Sequence, residues 1–327
     1  MNNKRVLLLF TGLCLMASGC VEGKKRPGED GGGATDGPQD GPAKPVGDGP
    51  KSTKDGSAGA IPGKWVKVPA GTFTMGAAAG EACGDQTKER GHQVTLSRGF
   101  EIMTTEVTQA QFQQVMGYNR SYFKSCDSCP VDSVSAHEAS IYCNELSKKK
   151  GLTPCYSCTG KSSSADCYLA PAFKTPYACP GYRLPTEAEW EFAYRAGTQT
   201  AFYSGGMDSS KCSVCTSKDA NAHKIGWYCA NVGSSSDKTK PVGGKSPNTL
   251  GLYDMAGNLY EWTTDGHVED LGSAAVKDPY HDSNTSRWVI KGGCWEHSAS
   301  KMRAAYRGTC SPNFGTILIG FRPVRTL

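Results

Sequence analysis

The stretch Gly181–Gly197, GYRLPTEAEWEFAYRAG, decides how the rest of the chain is read. Thr186 and Glu189 are spaced as a capping box, in which each side chain satisfies an orphan backbone N–H of a first helical turn. Pro185 sets the entry, and Glu187 and Glu189 sit where the helix dipole favours negative charge. Trp190, Ala193 and Tyr194 share one face, which must pack on something. Gly197 closes the helix at a position that tolerates a left-handed residue. The stretch therefore reads as a short amphipathic helix with both ends specified and, taken alone, as scaffold.

Outward from this helix, the patterns mix. Trp65–Pro69 alternates like a strand, and Gly71–Gly76 repeats the alternation between glycines, which predicts a first hairpin. Val94–Ile102 reads as a further strand. Thr108 caps a helix over Gln109–Met116, and Ser135 caps another over Ala136–Lys149. In the second of these, Cys143 lies on the apolar face, as a buried thiol or as half of a disulfide. Gly151–Pro180 is a cysteine-rich excursion that predicts short strands stapled across loops, and Thr198–Ala230 is irregular and cysteine-bearing. Arg287–Ile290, Arg303–Arg307 and Ile319–Val324 carry strand patterning around the Gly292-Gly293 break. Few helices, many short strands and no β-α-β alternation give the α+β class.

At the other end, Lys4 and Arg5 precede the apolar run Val6–Met16, which is short for a bilayer span and reads as a signal segment over 1–20. Ala17-Ser18-Gly19-Cys20 ends it like a bacterial lipobox, so Cys20 is the expected site of lipidation. A membrane attachment through N-terminal lipid, at the outer membrane or cell surface, follows from that reading. Residues 21–63 are dominated by Gly, Pro, Asp, Lys and Ser and predict a disordered stalk. Residues 64–327 are long enough for one domain with a sizeable core. The net charge of +5 is modest, with basic residues dispersed, so nucleic acid is not an expected partner.

The 15 cysteines are the loudest compositional signal. Cys126/Cys129, Cys155/Cys158 and Cys212/Cys215 are C-x-x-C pairs. In an exported chain disulfides are the default, and no histidines flank the pairs at zinc-finger spacing. Connectivity does not follow from the sequence. With Cys14 and Cys20 set aside the remainder is odd, so a thiol is left free or pairs outside the chain.

A series of stretches in fixed order carries a resemblance. It comprises Val66–Gly76, Glu106-Val107-Thr108, Pro130-Val131, Val134-Ser135, Tyr142-Cys143 and Arg183–Glu191, followed by Gly251–Trp262 (GLYDMAGNLYEW), Lys291-Gly292-Gly293 and Gly320-Phe321-Arg322. Together they resemble the formylglycine-generating enzyme, or sulfatase-modifying factor, family over almost all of Trp65–Leu327. The resemblance implies a variant of the C-type-lectin-like α+β fold with long loops and bound calcium. It also implies one calcium site at Asp254, Gly257, Leu259 and Glu261. A second matches Asn231 and Val232, with later ligands near Asp237 in a loop shorter than in the enzymes. Calcium takes six to eight oxygen ligands, which such carboxylates and turn carbonyls can supply.

The family's enzymes oxidise a substrate cysteine to formylglycine with copper(I) held by two cysteines beyond the diglycine turn. Soft thiolates suit copper(I). Counting from Gly293, the matching positions here are His297 and Met302, and Cys294 stands directly after the turn. The pair that defines the reaction is missing, so copper is not expected. Three readings follow: a surface-anchored module binding a protein or glycan, an oxidative protein-modifying enzyme whose site is remodelled around Cys294, His297 and Met302, and a purely structural calcium-stabilised domain.

Overall fold

The computed structural model describes residues 62–233 and 238–327. The signal segment, Cys20, nearly all of the stalk, and Asp237 lie outside the described residues. Early in the chain come β1 (Trp65–Val68), β2 (Gly71–Met75), β3 (His92–Leu96), β4 (Phe100–Met103), α1 (Gln109–Met116) and α2 (Ala136–Lys149). The middle holds β5 (Tyr156–Thr159), β6 (Asp166–Leu169), β7 (Tyr182–Arg183), α3 (Glu187–Arg195) and α4 (Ala222–Ile225). The chain closes with β8 (Tyr260–Gly266), β9 (Val276–Lys277), β10 (Trp288–Lys291), β11 (Gly308–Cys310), β12 (Ile319–Gly320) and β13 (Val324–Thr326).

These strands form small sheets ordered β1-β4-β13-β7, β11-β10-β8-β12, β2-β3-β9 and β5-β6. The sheet built on β8 is the centre of the molecule. Every residue of β8 is buried, and its antiparallel partner β10 is buried throughout as well. Helix α3 packs on β8 and β10 from one side and on β2 and β3 from the other. Helix α2 lies against β7, β8 and the β5-β6 hairpin. One apolar cluster gathers around α1, α2, Trp262 and Trp288, and a second around Trp190, Tyr194 and Met255. This is the α+β architecture expected.

The capping boxes at Thr108, Ser135 and Thr186 all form. Helix α3 ends one residue earlier than expected: Ala196 takes the left-handed C-cap (φ 47°) and Gly197 follows at φ 92°. The expected β1-β2 hairpin does not form, because β1 pairs with β4 and β2 pairs with β3. Val94–Ile102 likewise splits at Ser97–Gly99 into strands of two different sheets. The split lets Gly99 pass close to the Val68 carbonyl, which a Cβ there would meet at 2.9 Å. Arg303–Arg307 is not a strand. Its alternation belongs to a turn in which Arg303 is drawn inward by Glu81 and Glu89, and β11 begins only at Gly308.

The cysteines form crosslinks Cys83–Cys212, Cys126–Cys129, Cys155–Cys179, Cys158–Cys167 and Cys215–Cys229, and Cys310 is also disulfide-bonded. Cys158–Cys167 staples the β5-β6 hairpin across its strands. Two of the three C-x-x-C pairs are therefore divided between different partners. Cys143 and Cys294 are buried free thiols.

Candidate functional site

The diglycine turn leaves β10 with both residues left-handed, Gly292 at φ 92° and Gly293 at φ 73°. A Cβ on Gly293 would stand 2.9 Å from the backbone of Lys301, and one on Gly292 would stand 3.2 Å from the Trp190 ring. Gly257 N–H donates to the Gly292 carbonyl at 2.8 Å, so the turn is pinned onto the Asp254–Leu259 segment. What lies beyond Gly293 is thus placed by α3, by that segment and by the short helical turn Ala299–Met302.

Of the three side chains singled out there, the structure brings two together. Cys294 is fully buried, and burial pushes its thiol up to about 12 despite N–H groups of Glu296 and His297 pulling the other way. His297 is half-buried, with Nδ1 3.0 Å from the Tyr260 hydroxyl. Its carbonyl accepts Cys229 N–H at 3.2 Å, tying the segment to the Cys215–Cys229 loop. The Tyr260 hydroxyl is held far above its ordinary range by burial first, then by Tyr306 and Cys294. Met302 is not part of this group. It is buried in the second apolar cluster, its side chain packed beside Gly226 and Gly293. A thioether in that setting faces carbon, and a thiol that burial keeps protonated is a weak nucleophile.

The calcium candidates surround the turn that enters β8. Asp254 is left-handed (φ 53°), one carboxylate oxygen accepts Gly243 N–H at 2.6 Å, and Oδ1 is buried without a hydrogen-bond partner. Such an oxygen is costly to bury unsatisfied and fits a cation. Glu261 does not fit in the same way. Arg322 grips it through Nε at 2.7 Å and Nη2 at 2.6 Å, and the Trp190 indole donates to Oε2 at 2.8 Å. Gly257 and Leu259 lie between the two carboxylates in sequence, and Leu259 N–H donates to Glu106 Oε1 at 2.9 Å. Glu106 is pushed well above the carboxylate range by burial first, then by Asp254 and Glu261. Asn231 Oδ1 accepts Tyr228 N–H at 2.8 Å, and Val232 N–H donates to the Tyr228 carbonyl, so both close a turn. Among the described residues no group of three or more His, Cys, Asp or Glu side chains is arranged to hold a metal ion.

Local sequence gives no role to Glu106, Tyr260, Lys291 or Arg322, although all four lie in stretches that carry the resemblance. Glu106 bonds across 152 to 153 residues and Arg322 across 61, which leaves no local signal.

Residues 57–327 match the family described as "Sulfatase-modifying factor enzyme 1-like domain". The "Chaperone protein LppX" of Paenibacillus barcinonensis is 34% identical over 67% of this chain and 77% of its own length. The formylglycine-generating enzyme of Streptomyces coelicolor is 28% identical over 79% of this chain and 87% of its own. Among solved structures, Treponema denticola variable protein 1 superposes with a TM-score of 0.67 at 29% identity, covering 83% of this chain and 98% of its own.

Proposed function

The chain belongs to the sulfatase-modifying factor enzyme 1-like domain family, and on that premise we propose that it is a binding or assembly module of that fold without copper–thiolate oxidase activity. The observation that carries this reading is the burial of every soft donor near the diglycine turn. Met302 sulfur lies in the core, the Cys294 thiol is held neutral, and only the imidazole of His297 is partly open. Copper(I) oxidation of a thiol needs reachable thiolates, and one imidazole does not replace them. The likeness to a protein named as a chaperone favours assembly over structure alone. In the same reading Cys20 carries the lipid that tethers the module to the cell envelope, and the partner is a protein or glycan at the surface.

The test is copper(I) titration of the purified protein with mass spectrometry of a cysteine-containing peptide. Unchanged peptide mass and no stoichiometric copper are expected. Conversion of the cysteine with the mass loss of formylglycine would overturn the proposal in favour of a remodelled oxidative enzyme. Crosslinking and glycan-array binding with the intact exported chain then identify the partner class, and a chain that retains nothing on either would be structural.

A further inference from the structure

The sequence holds two N-x-Ser/Thr triplets, Asn119-Arg120-Ser121 and Asn284-Thr285-Ser286, neither with proline in the middle. This is the acceptor pattern for N-linked glycosylation, which in an exported chain falls on surface loops. The structure separates the two. Asn119 is half-buried: its Nδ2 donates to Gln109 Oε1 at 3.0 Å, and its Oδ1 accepts Ser121 N–H at 2.9 Å. Ser121 is 1% exposed, and its hydroxyl oxygen accepts Asp132 N–H at 3.2 Å. Both ends of that triplet are engaged inside the fold.

Asn284 stands in the opposite state. Asn284, Thr285, Ser286 and Arg287 are consecutive exposed residues, and the Asn284 amide and Ser286 hydroxyl have no hydrogen-bond partner among the described residues. The backbone that presents them is nonetheless fixed. The Trp288 indole donates to the Ser283 carbonyl at 2.7 Å, Asn284 N–H donates to Asp282 Oδ1 at 2.9 Å, and Thr285 Oγ1 donates to the Arg287 carbonyl at 2.9 Å. Asp282 is itself exposed, so two residues before the open amide stands a carboxylate that a cationic groove can grip by a charge-assisted hydrogen bond. This loop enters β10, and the diglycine turn leaves the same strand at its other end, roughly 13 Å away for four extended residues. A sugar on Asn284 would leave the Cys294 and His297 end clear.

We infer that Asn284 is an N-glycosylation site, recognised through Asp282 and Ser286, whose donor is an oligosaccharide carried on a polyprenyl diphosphate. The inference rests on the reading that the chain is exported, because a membrane transferase using such a donor meets its acceptors outside the cytosol. An amide nitrogen shares its lone pair with the carbonyl and is a poor nucleophile. A transferase must therefore hold it against the sugar, which the open Asn284 amide allows and the bonded Asn119 amide does not. In the transfer, Asn284 Nδ2 bonds to C1 of the first sugar, the bond from C1 to the diphosphate oxygen breaks, and polyprenyl diphosphate leaves with the electron pair. Nδ2 gives up one proton to a base of the transferase, and nothing is oxidised or reduced.

The experiment co-expresses the full chain in bacteria with a membrane oligosaccharyltransferase and its polyprenyl-diphosphate oligosaccharide, and reads the chain by intact mass and peptide fragmentation. One oligosaccharide mass on the Asn284 peptide is expected, lost in Asn284→Gln and in Ser286→Ala. Occupancy should fall about tenfold in Asp282→Asn, which keeps the turn acceptor and removes the charge. All three side chains are exposed, so the variants keep the fold. An unmodified Asn284 in chain whose signal segment has been removed, sugar at Asn119 or on a hydroxyl instead, or parent occupancy in Ser286→Ala or Asp282→Asn would overturn the inference. Chain retained in the cytosol with its signal segment would count against export alone. The purified full chain is then mixed with detergent-solubilised transferase and donor, where transfer to Asn284 supports the site and its absence rejects it.

Discussion

Lys291 shows what a single side chain does at the centre of this molecule. It is fully buried, with Nζ 3.1 Å from Glu191 and 3.8 Å from Glu187. Burial alone would push both carboxyls up, but the cations around them win: Arg307 and Lys291 for Glu187, Lys291 and Arg195 for Glu191. Their folded values lie below the unfolded ones, so the stabilisation is present above the unfolded carboxylate pKa of about 4.3 and is lost as pH falls through the lower folded values. Removing one partner of a buried pair leaves the other charge uncompensated. Lys291→Met is expected to cost on the order of 3 kcal/mol in denaturant unfolding near neutral pH, with a shallower acid limb than the parent. An unchanged midpoint would mean that Arg307 and Arg195 suffice. Cys294 supports a second expectation at this scale. A thiol pushed up to about 12 inside the fold resists alkylation by iodoacetamide in native buffer and reacts only on unfolding. Rapid native labelling would contradict its burial and reopen the diglycine turn as a reactive centre.

Helix α3 was the most legible element because its signals are local. Its capping box forms as the sequence predicts, with Glu189 N–H donating to Thr186 Oγ1 at 3.1 Å and Thr186 N–H donating to Glu189 Oε2 at 2.9 Å. Tyr177 adds a hydroxyl contact to Thr186 at 2.9 Å. Thr186→Ala should therefore cost about 1–2 kcal/mol in thermal or chemical unfolding, at the upper part of the range for lost caps. A cost near zero would show that Glu189, clamped by Arg183 at 2.7 Å and 2.8 Å, holds the helix start without the hydroxyl. What the sequence did not reveal about α3 is its polar face. Glu187, Glu189, Glu191 and Arg195 are all buried, because the helix is covered on both sides and each charge meets a partner. The β1-β2 hairpin failed for a related reason. Alternation fixes which face of a strand is buried but not which strand lies beside it, and here both strands pair with β4 and β3 instead of with each other.

At the scale of the whole molecule, ordered motifs made the fold readable, since together they span nearly the whole domain. The wiring between motifs was not readable, because Arg322 reaches Glu261, Arg303 reaches Glu89 and Cys83 reaches Cys212 across long stretches of sequence. That wiring bears directly on calcium. The expected ligand pair Asp254 and Glu261 is divided: Glu261 is neutralised by Arg322, while Asp254 keeps a buried oxygen unsatisfied. If a cation belongs to this fold, Asp254 is where it is needed, and Glu261 serves the Arg322 clamp with or without it. Calcium at a hundredfold excess over its Kd should then raise the unfolding free energy of the parent by about 2.7 kcal/mol, reversed by chelator. Asp254→Ala should abolish that response. Glu261→Gln should lower stability by several kcal/mol, roughly the cost of breaking a buried ion pair, yet still respond to calcium. A parent indifferent to both calcium and chelator would leave Asp254 as a turn residue held by Gly243 and would remove the metal from this domain. A response lost equally in both variants would instead restore Glu261 to the ligand set and show that Arg322 swings away when the ion binds.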